Sequence, residues 1–162
     1  MVTRDLVIDD LVTRDLACTL SGVFNLFAYG TLEFEEIFQR VTGTRAKAQP
    51  AELIDFGRYL LEHRPYPAVV PVRGSVVVGT VYLELADALL GRLDEYEGDE
   101  YLRRNVRVQL RGAGDLDAVV YVLLPELEHN LTTSPWDKQH FADHHAQKFL
   151  SGLPGPASRY SQ

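Results

Sequence analysis

Apolar and polar positions divide the chain into a few clear segments. From Val23 to Tyr29 every position but Asn25 is apolar, and Gly22 and Gly30 bound the run. That is the pattern of a strand buried on both faces. Glu33 to Val41 reads as a helix, because Phe34, Ile37, Phe38 and Val41 recur at helical spacing. Glu33, Glu35 and Glu36 crowd its N-terminal end, where the helix dipole favours negative charge, and Gly43 supplies a stop.

The middle of the chain reads as β-structure. Leu53 to Leu61 is a mixed strand, and Ala68 to Val72 a short one closed in by Pro67 and Pro71. Ser75 to Leu85 alternates, with Val77, Gly79, Val81, Leu83 and Leu85 on one face. Gly79 inside that run marks a bulge or a place where something approaches the backbone closely. Asp87 is positioned to cap a short helix carrying Leu89, Leu90, Leu93 and Tyr96. Tyr101 to Leu110 alternates again, with Leu102, Val106, Val108 and Leu110 expected inward and Tyr101 expected outward. Arg111 to Asp115 has hairpin-turn chemistry, and Leu116 to Leu124 pairs back. Ser134-Pro135-Trp136-Asp137 resembles a helix start, with Ser134 as N-cap, of a helix running to about Leu150.

Five or six strands and three short helices, without regular βαβ alternation, predict an α+β fold. The architecture expected is a small mixed, mainly antiparallel β-barrel with flanking short helices. Residues 1–22, in which Val2 to Leu6 recurs as Val12 to Leu16, read as an N-terminal extension. Residues 23–151 form the domain, and the Gly/Pro/Ser-rich residues 152–162 are expected to be a disordered tail.

Composition narrows the partners. The chain has 162 residues, 16 Lys+Arg against 23 Asp+Glu, and a net charge of −7. An acidic domain gains nothing from counterion release, which excludes nucleic acid as the expected partner. No apolar run approaches the roughly 20 residues of a membrane span, so no membrane partner is expected. The single cysteine, Cys18, suits a cytoplasmic protein without disulfides or a Cys-rich metal site.

Three places can carry chemistry. The turn Tyr29-Gly30-Thr31-Leu32 leaves a buried strand and enters a helix, so successive N–H groups there can cradle an anion. Gly30 permits a backbone conformation that other residues resist. The alternative is an ordinary strand-to-helix turn. Asp94 to Glu100 holds five acids in seven residues, punctuated by Tyr96 and followed by Tyr101. As a solvated loop it has no role; a carboxylate held there among aromatics and like charges would have its pKa raised towards that of a general base. Glu97 and Glu100 both qualify on spacing. His140 and His144 stand four apart on the last helix, opposite its apolar arc, and read as solvated surface rather than a metal site.

Taken together, Phe27-Ala28-Tyr29-Gly30-Thr31-Leu32, Tyr66-Pro67-Ala68-Val69-Val70-Pro71 and Leu93-Asp94-Glu95-Tyr96-Glu97-Gly98-Asp99-Glu100-Tyr101-Leu102-Arg103 carry a family signature. Their order and spacing resemble the gamma-glutamylcyclotransferase-like superfamily, within it the AIG2-like and gamma-glutamylamine cyclotransferase branch, over roughly Phe24 to Leu150. The resemblance implies a small barrel and a reaction without metal or cofactor. A small-molecule γ-glutamyl substrate cyclises to 5-oxoproline and releases an amine or amino acid. It implies Glu97 as the catalytic acid–base, and Tyr29, Gly30, Thr31 and Leu32 as the substrate-binding loop. The acidic run Glu33 to Glu36 departs from some relatives and weighs against a second substrate carboxylate. The readings from another class are a non-catalytic small-molecule-binding barrel and a structural or interaction domain of the same fold.

Overall fold

A computed structural model describes residues 22–153. The N-terminal extension up to residue 21, with Cys18, and the tail beyond residue 153 lie outside the described residues.

Five strands close into a barrel in the order β1-β3-β2-β4-β5. They are β1 (Val23–Ala28), β2 (Lys47–Leu60), β3 (Pro67–Ala86), β4 (Tyr101–Leu110) and β5 (Gly114–Leu123). All pairings are antiparallel except the closing one, where Leu26 of β1 meets Val119 of β5 in parallel. Four short α-helices flank the barrel: α1 (Glu35–Thr42), α2 (Leu90–Glu97), α3 (Lys138–His144) and α4 (Ala146–Ser151). Among the described residues no helix is long and apolar enough to cross a membrane.

Strand β1 explains the architecture. Phe27, and Tyr29 just past its end, point into the barrel with Leu53, Val69, Val77, Val81, Val108 and Val120. Leu26 and Ala28 point the other way, under the helices, with Ile37, Phe38, Leu93, Tyr121 and Phe141. The expected two-faced burial therefore holds from Leu26 onward, whereas Val23 at the strand's start is 58% exposed. Each fully buried Leu, Ile or Phe contributes about 1.5–3 kcal/mol, so the two layers dominate the fold's stability. Helix α1 ends as the sequence implied, with Gly43 at φ 77° as its left-handed cap.

Several elements differ from expectation, each for a local reason. The two strands read at Ala68–Val72 and Ser75–Leu85 are one strand, β3. It stays in the sheet because β2 bends with it. Asp55 adopts φ 67°, the register jumps between Ile54 and Phe56, and the Asp55 carboxylate accepts the Gly74 N–H at 2.8 Å. At the start of β4 Tyr101 faces the helix-side and terminal clusters, while Leu102 is 49% exposed. Strands β2 and β4 pair only at Ala51↔Leu110 and Glu52↔Gln109, so Leu102 has no opposing strand to cover it. Asp87 begins a 3-10 turn, Asp87–Leu89, without a side-chain cap bond. The last helix is broken at His145, and Asp137, not Ser134, is its N-cap, accepting from the Gln139 and His140 amides. His140 and His144 are exposed and stack at 4.3 Å. Gly152 and Leu153, assigned to the tail, instead close α4 through bonds to its carbonyls.

Gly79 marks a close approach and not a bulge, being in regular register with Ala51. A Cβ there would collide with the Ala28 carbonyl oxygen and lie 2.7 Å from Phe27 Cζ. Gly79→Ala should cost about 3 kcal/mol by overpacking, read as a lowered midpoint in denaturant unfolding with an unchanged slope.

Candidate active site

Where β1 ends, Tyr29, Gly30, Thr31 and Leu32 form one wall of a cavity of about 300 Å³. Tyr66 and Pro67 before and at the start of β3, Tyr96 and Glu97 of α2, Tyr101 of β4 and Tyr121 of β5 complete the inner surface. The volume is at the small end of ligand pockets.

The turn is held by its carbonyls. Tyr29 O accepts from the Arg58 guanidinium at 2.8 Å, Gly30 O from the Glu33 amide at 3.0 Å and Thr31 O from the Phe34 amide at 3.2 Å. Leu32 O accepts from the Tyr82 hydroxyl at 2.6 Å. Because each peptide is planar and trans, fixing a carbonyl aims the next N–H the opposite way. Arg58 does not line the cavity, so its grip on Tyr29 O turns the Gly30 N–H away from the Arg58 side. The N–H groups of Gly30, Thr31 and Leu32 have no acceptor among the described residues. Gly30 is needed for space: its φ is −138°, and an added Cβ would sit 3.0 Å from the Pro67 ring.

Arg58 is itself anchored. It lies 3.8 Å from the Glu33 carboxylate, also bonds Val78 O, and stacks over Trp136 at 5.5 Å. The Glu33 side chain is only 7% exposed; it also accepts from Thr80 and meets Lys138 at 3.6 Å. Burial raises its pKa, opposed by Lys138, Thr80 and Arg58. Glu33, Glu35 and Glu36 do not line the cavity.

Glu97 reaches the cavity because it lies four residues after Leu93, which is fully buried, and therefore on the same helix face. Gly98 at φ 79° ends the helix immediately afterwards, a conformation that favours glycine. Glu97 is half-buried as a residue, since the pocket opens on it, while its carboxyl is enclosed by protein. Burial alone pushes its pKa up to about 8, without the help from like charges that the acidic run suggested. No hydrogen-bond donor or cation pairs with it among the described residues. Burial holds the hydroxyls of Tyr29, Tyr96 and Tyr101 well above their ordinary pKa, with the Glu97 charge and, for Tyr29, first the neighbouring Tyr101 adding to it, so they stay neutral while Glu97 titrates. Thr31 Oγ1 and Tyr96 OH, 2.7 Å apart, tie the turn to the helix that carries Glu97.

The neighbouring acids go elsewhere. Glu100 pairs with Arg64 at 2.6 Å, and Asp94 binds Arg103 and the Tyr121 hydroxyl. Asp99 is exposed, and Glu95 stands at the cavity mouth. Of the two candidates open on spacing, only Glu97 shares the cavity with Tyr29–Leu32. Among the described residues no cluster of His, Cys, Asp and Glu with the makings of a metal site occurs. Sequence reasoning missed Arg58, one of several charged residues in a mixed strand and without a local signal of its role. It also missed the cavity roles of Tyr121 and Phe149, which carry no signal beyond being apolar.

A match to the family described as gamma-glutamyl cyclotransferase, AIG2-like, spans residues 26–138. The chain belongs to that family. AIG2-like protein D of Arabidopsis thaliana is 31% identical over 78% of this chain and 84% of its own length. A solution structure of another Arabidopsis thaliana protein superposes with a TM-score of 0.63 at 28% identity, covering 79% of this chain and 78% of that one. A solved gamma-glutamyl cyclotransferase shares the fold, with a TM-score of 0.60 at 18% identity over 82% of this chain and 88% of that one. The family match takes in Tyr29–Leu32, Tyr66, Pro67, Glu97, Tyr101 and Tyr121.

Arg58→Met should destabilise the protein by about 2 kcal/mol, because it removes one of the two cations that compensate the buried Glu33. Combined with Glu33→Gln it should cost less than the sum of the two single changes, a comparison that denaturant unfolding of the four proteins makes directly.

Proposed function

We propose that the protein is a γ-glutamyl cyclotransferase that converts a γ-glutamyl amine or γ-glutamyl amino acid to 5-oxoproline and the free amine. One observation carries this reading: a desolvated carboxyl without a cation partner, Glu97, shares a cavity with Gly30, Thr31 and Leu32, whose N–H groups have no acceptor among the described residues.

The chemistry follows from proton accounting. The substrate's α-ammonium and the Glu97 carboxylate carry one transferable proton between them. With its pKa pushed up to about 8, Glu97 is a far stronger base than an ordinary carboxylate near 4.3, so passing the proton to it costs correspondingly less. The freed amine nitrogen attacks the γ-carbonyl carbon, forming the ring C–N bond and a tetrahedral oxyanion. As the oxyanion collapses, the original amide C–N bond breaks and Glu97 returns its proton to the leaving nitrogen; the second proton of the ring nitrogen then passes through the freed Glu97 carboxylate to the released amine, which departs as an ammonium. The atoms balance within one substrate molecule. The N–H groups of the turn supply donors for the substrate carboxylate or the oxyanion, and the small cavity favours the bent chain that cyclisation requires.

Release of 5-oxoproline from γ-glutamyl amines and dipeptides tests the reading. Turnover should fall at least about a hundredfold in Glu97→Gln. The acid limb of kcat/KM should show an apparent pKa near 8, where an ordinary carboxyl would place it near 4.3. Binding of these compounds without any 5-oxoproline release would instead identify a non-catalytic barrel.

Stability should carry the same signature. The folded protein keeps the Glu97 proton up to about pH 8, while the unfolded chain releases it near pH 4.3. Between those limits the unfolded state binds fewer protons, so stability falls as pH rises, by at most about 1.4 kcal/mol per unit. Glu97→Gln lacks this penalty. Its Tm advantage over the parent should grow from pH 5 to pH 8 and then level off; a constant offset would show that Glu97 titrates normally.

A further inference from the structure

The cavity has a depth gradient. Leu26 to Leu32 and Tyr121 are buried and form its floor, whereas Tyr66, Glu95, Phe149, Gly152 and Leu153 are half-buried or exposed and form its mouth. In the cyclotransferase reading, on which this inference rests, the glutamyl part occupies the floor beside Glu97. The leaving amine then faces the mouth.

One side of that mouth comes from outside the stretch that matches the family. The match ends at residue 138, and Phe149, Gly152 and Leu153 come from α4 and the turn after it. This turn is fastened down: Gly152 donates to the Lys148 and Phe149 carbonyls, and Leu153 donates to Leu150 O. Phe149 meets the Tyr66 ring edge-on at 6.4 Å and Phe141 at 5.6 Å. The mouth is thereby framed by two aromatic rings and the Leu153 side chain.

Charge at the mouth points the same way. No Lys, Arg or His is among the cavity's lining residues, and the two carboxylic side chains there are Glu95 and Glu97. Arg64 has its guanidinium bound to Glu100 and to the Tyr66 hydroxyl, and Arg58 has its guanidinium on the Tyr29 and Val78 carbonyls behind the turn. Lys148, on the same short helix as Phe149, lines a different groove with His140 and His145. Among the described residues, a carboxylate carried by the leaving amine would meet Glu95 and no lining cation.

We propose that the C-terminal turn formed by Phe149, Gly152 and Leu153 selects the leaving amine, admitting an uncharged alkyl or aryl arm and rejecting one that ends in a carboxylate. The selector acts on binding, so it can be separated from the reaction. Calorimetry on full-length Glu97→Gln with γ-glutamyl-n-butylamide and γ-glutamylglycine reads selection alone, and 5-oxoproline release by the parent reads cyclisation. The butylamide should bind and turn over about tenfold or more better than γ-glutamylglycine. Leu153→Lys should narrow that ratio by improving the KM for γ-glutamylglycine with little change in kcat. Phe149→Ala should narrow it by weakening the butylamide; if that variant fails to fold, for Phe149 also packs on Phe141, Leu153→Lys decides. Equal binding of the two amides, or a ratio that Leu153→Lys leaves unmoved, overturns the proposal. Selective binding without 5-oxoproline release keeps the selector and overturns the cyclotransferase reading. Binding of neither amide overturns both.

Discussion

From Leu26 onward strand β1 has no free face, and the rest of the structure depends on that. Phe27 is locked into the barrel interior and Leu26 and Ala28 into the layer beneath the helices. Gly79 lets the neighbouring strand come within contact of the Ala28 carbonyl. A strand fixed from both sides cannot rotate without exposing one of two cores. The turn that follows it inherits this rigidity, and Arg58 and Tyr82 extend it by holding the carbonyls of Tyr29 and Leu32. The catalytic proposal uses that rigidity directly, since an array of N–H donors is useful only if it is already aimed before the ligand arrives.

Charge is handled differently on the two sides of the turn. Behind it, Glu33 is enclosed but compensated by Arg58, Lys138 and Thr80. In front of it, Glu97 is enclosed and left without a counter-charge, and its raised pKa is the result. A buried acid with partners holds parts together; one without partners is costly to the fold and ready to exchange a proton. The ring of neutral tyrosine hydroxyls around Glu97 maintains that condition, because none of them ionises in the range where Glu97 does.

Much of this was legible in the residues. The apolar run of β1 from Leu26 onward, the alternation of β4 from Val106 to Leu110, the return of β5 along it and the turn chemistry between them read correctly, because each is a local pattern that burial reinforces. The barrel was read from the order of strands and helices, but the pairing of Glu97 with Tyr29–Leu32 came from the resemblance, whereas spacing alone left Glu100 as a rival. The deciding local signal was present: Glu97 continues the face that Leu93 buries, and Glu100 falls beyond the glycine that stops the helix. What could not be read was long-range. The bend that keeps β3 continuous depends on Asp55, nineteen residues from its Gly74 partner. Arg58 reaches a carbonyl twenty-nine positions earlier. Leu102 is exposed because another strand happens to end its pairing early.

The wall built by Gly30, Thr31 and Leu32 offers main-chain groups, and this affects how the protein will respond to mutation. A side-chain scan leaves an amide N–H in place, so replacing Thr31 or Leu32 reports on packing and on the Tyr96 contact rather than on the donors themselves. The donors would register only through an amide-to-ester change in the backbone, or indirectly through the residues that hold the carbonyls. Sensitivity to substitution should therefore be displaced from the turn to Arg58 and Tyr82. A map of mutational effects would place the importance of this wall some distance behind it.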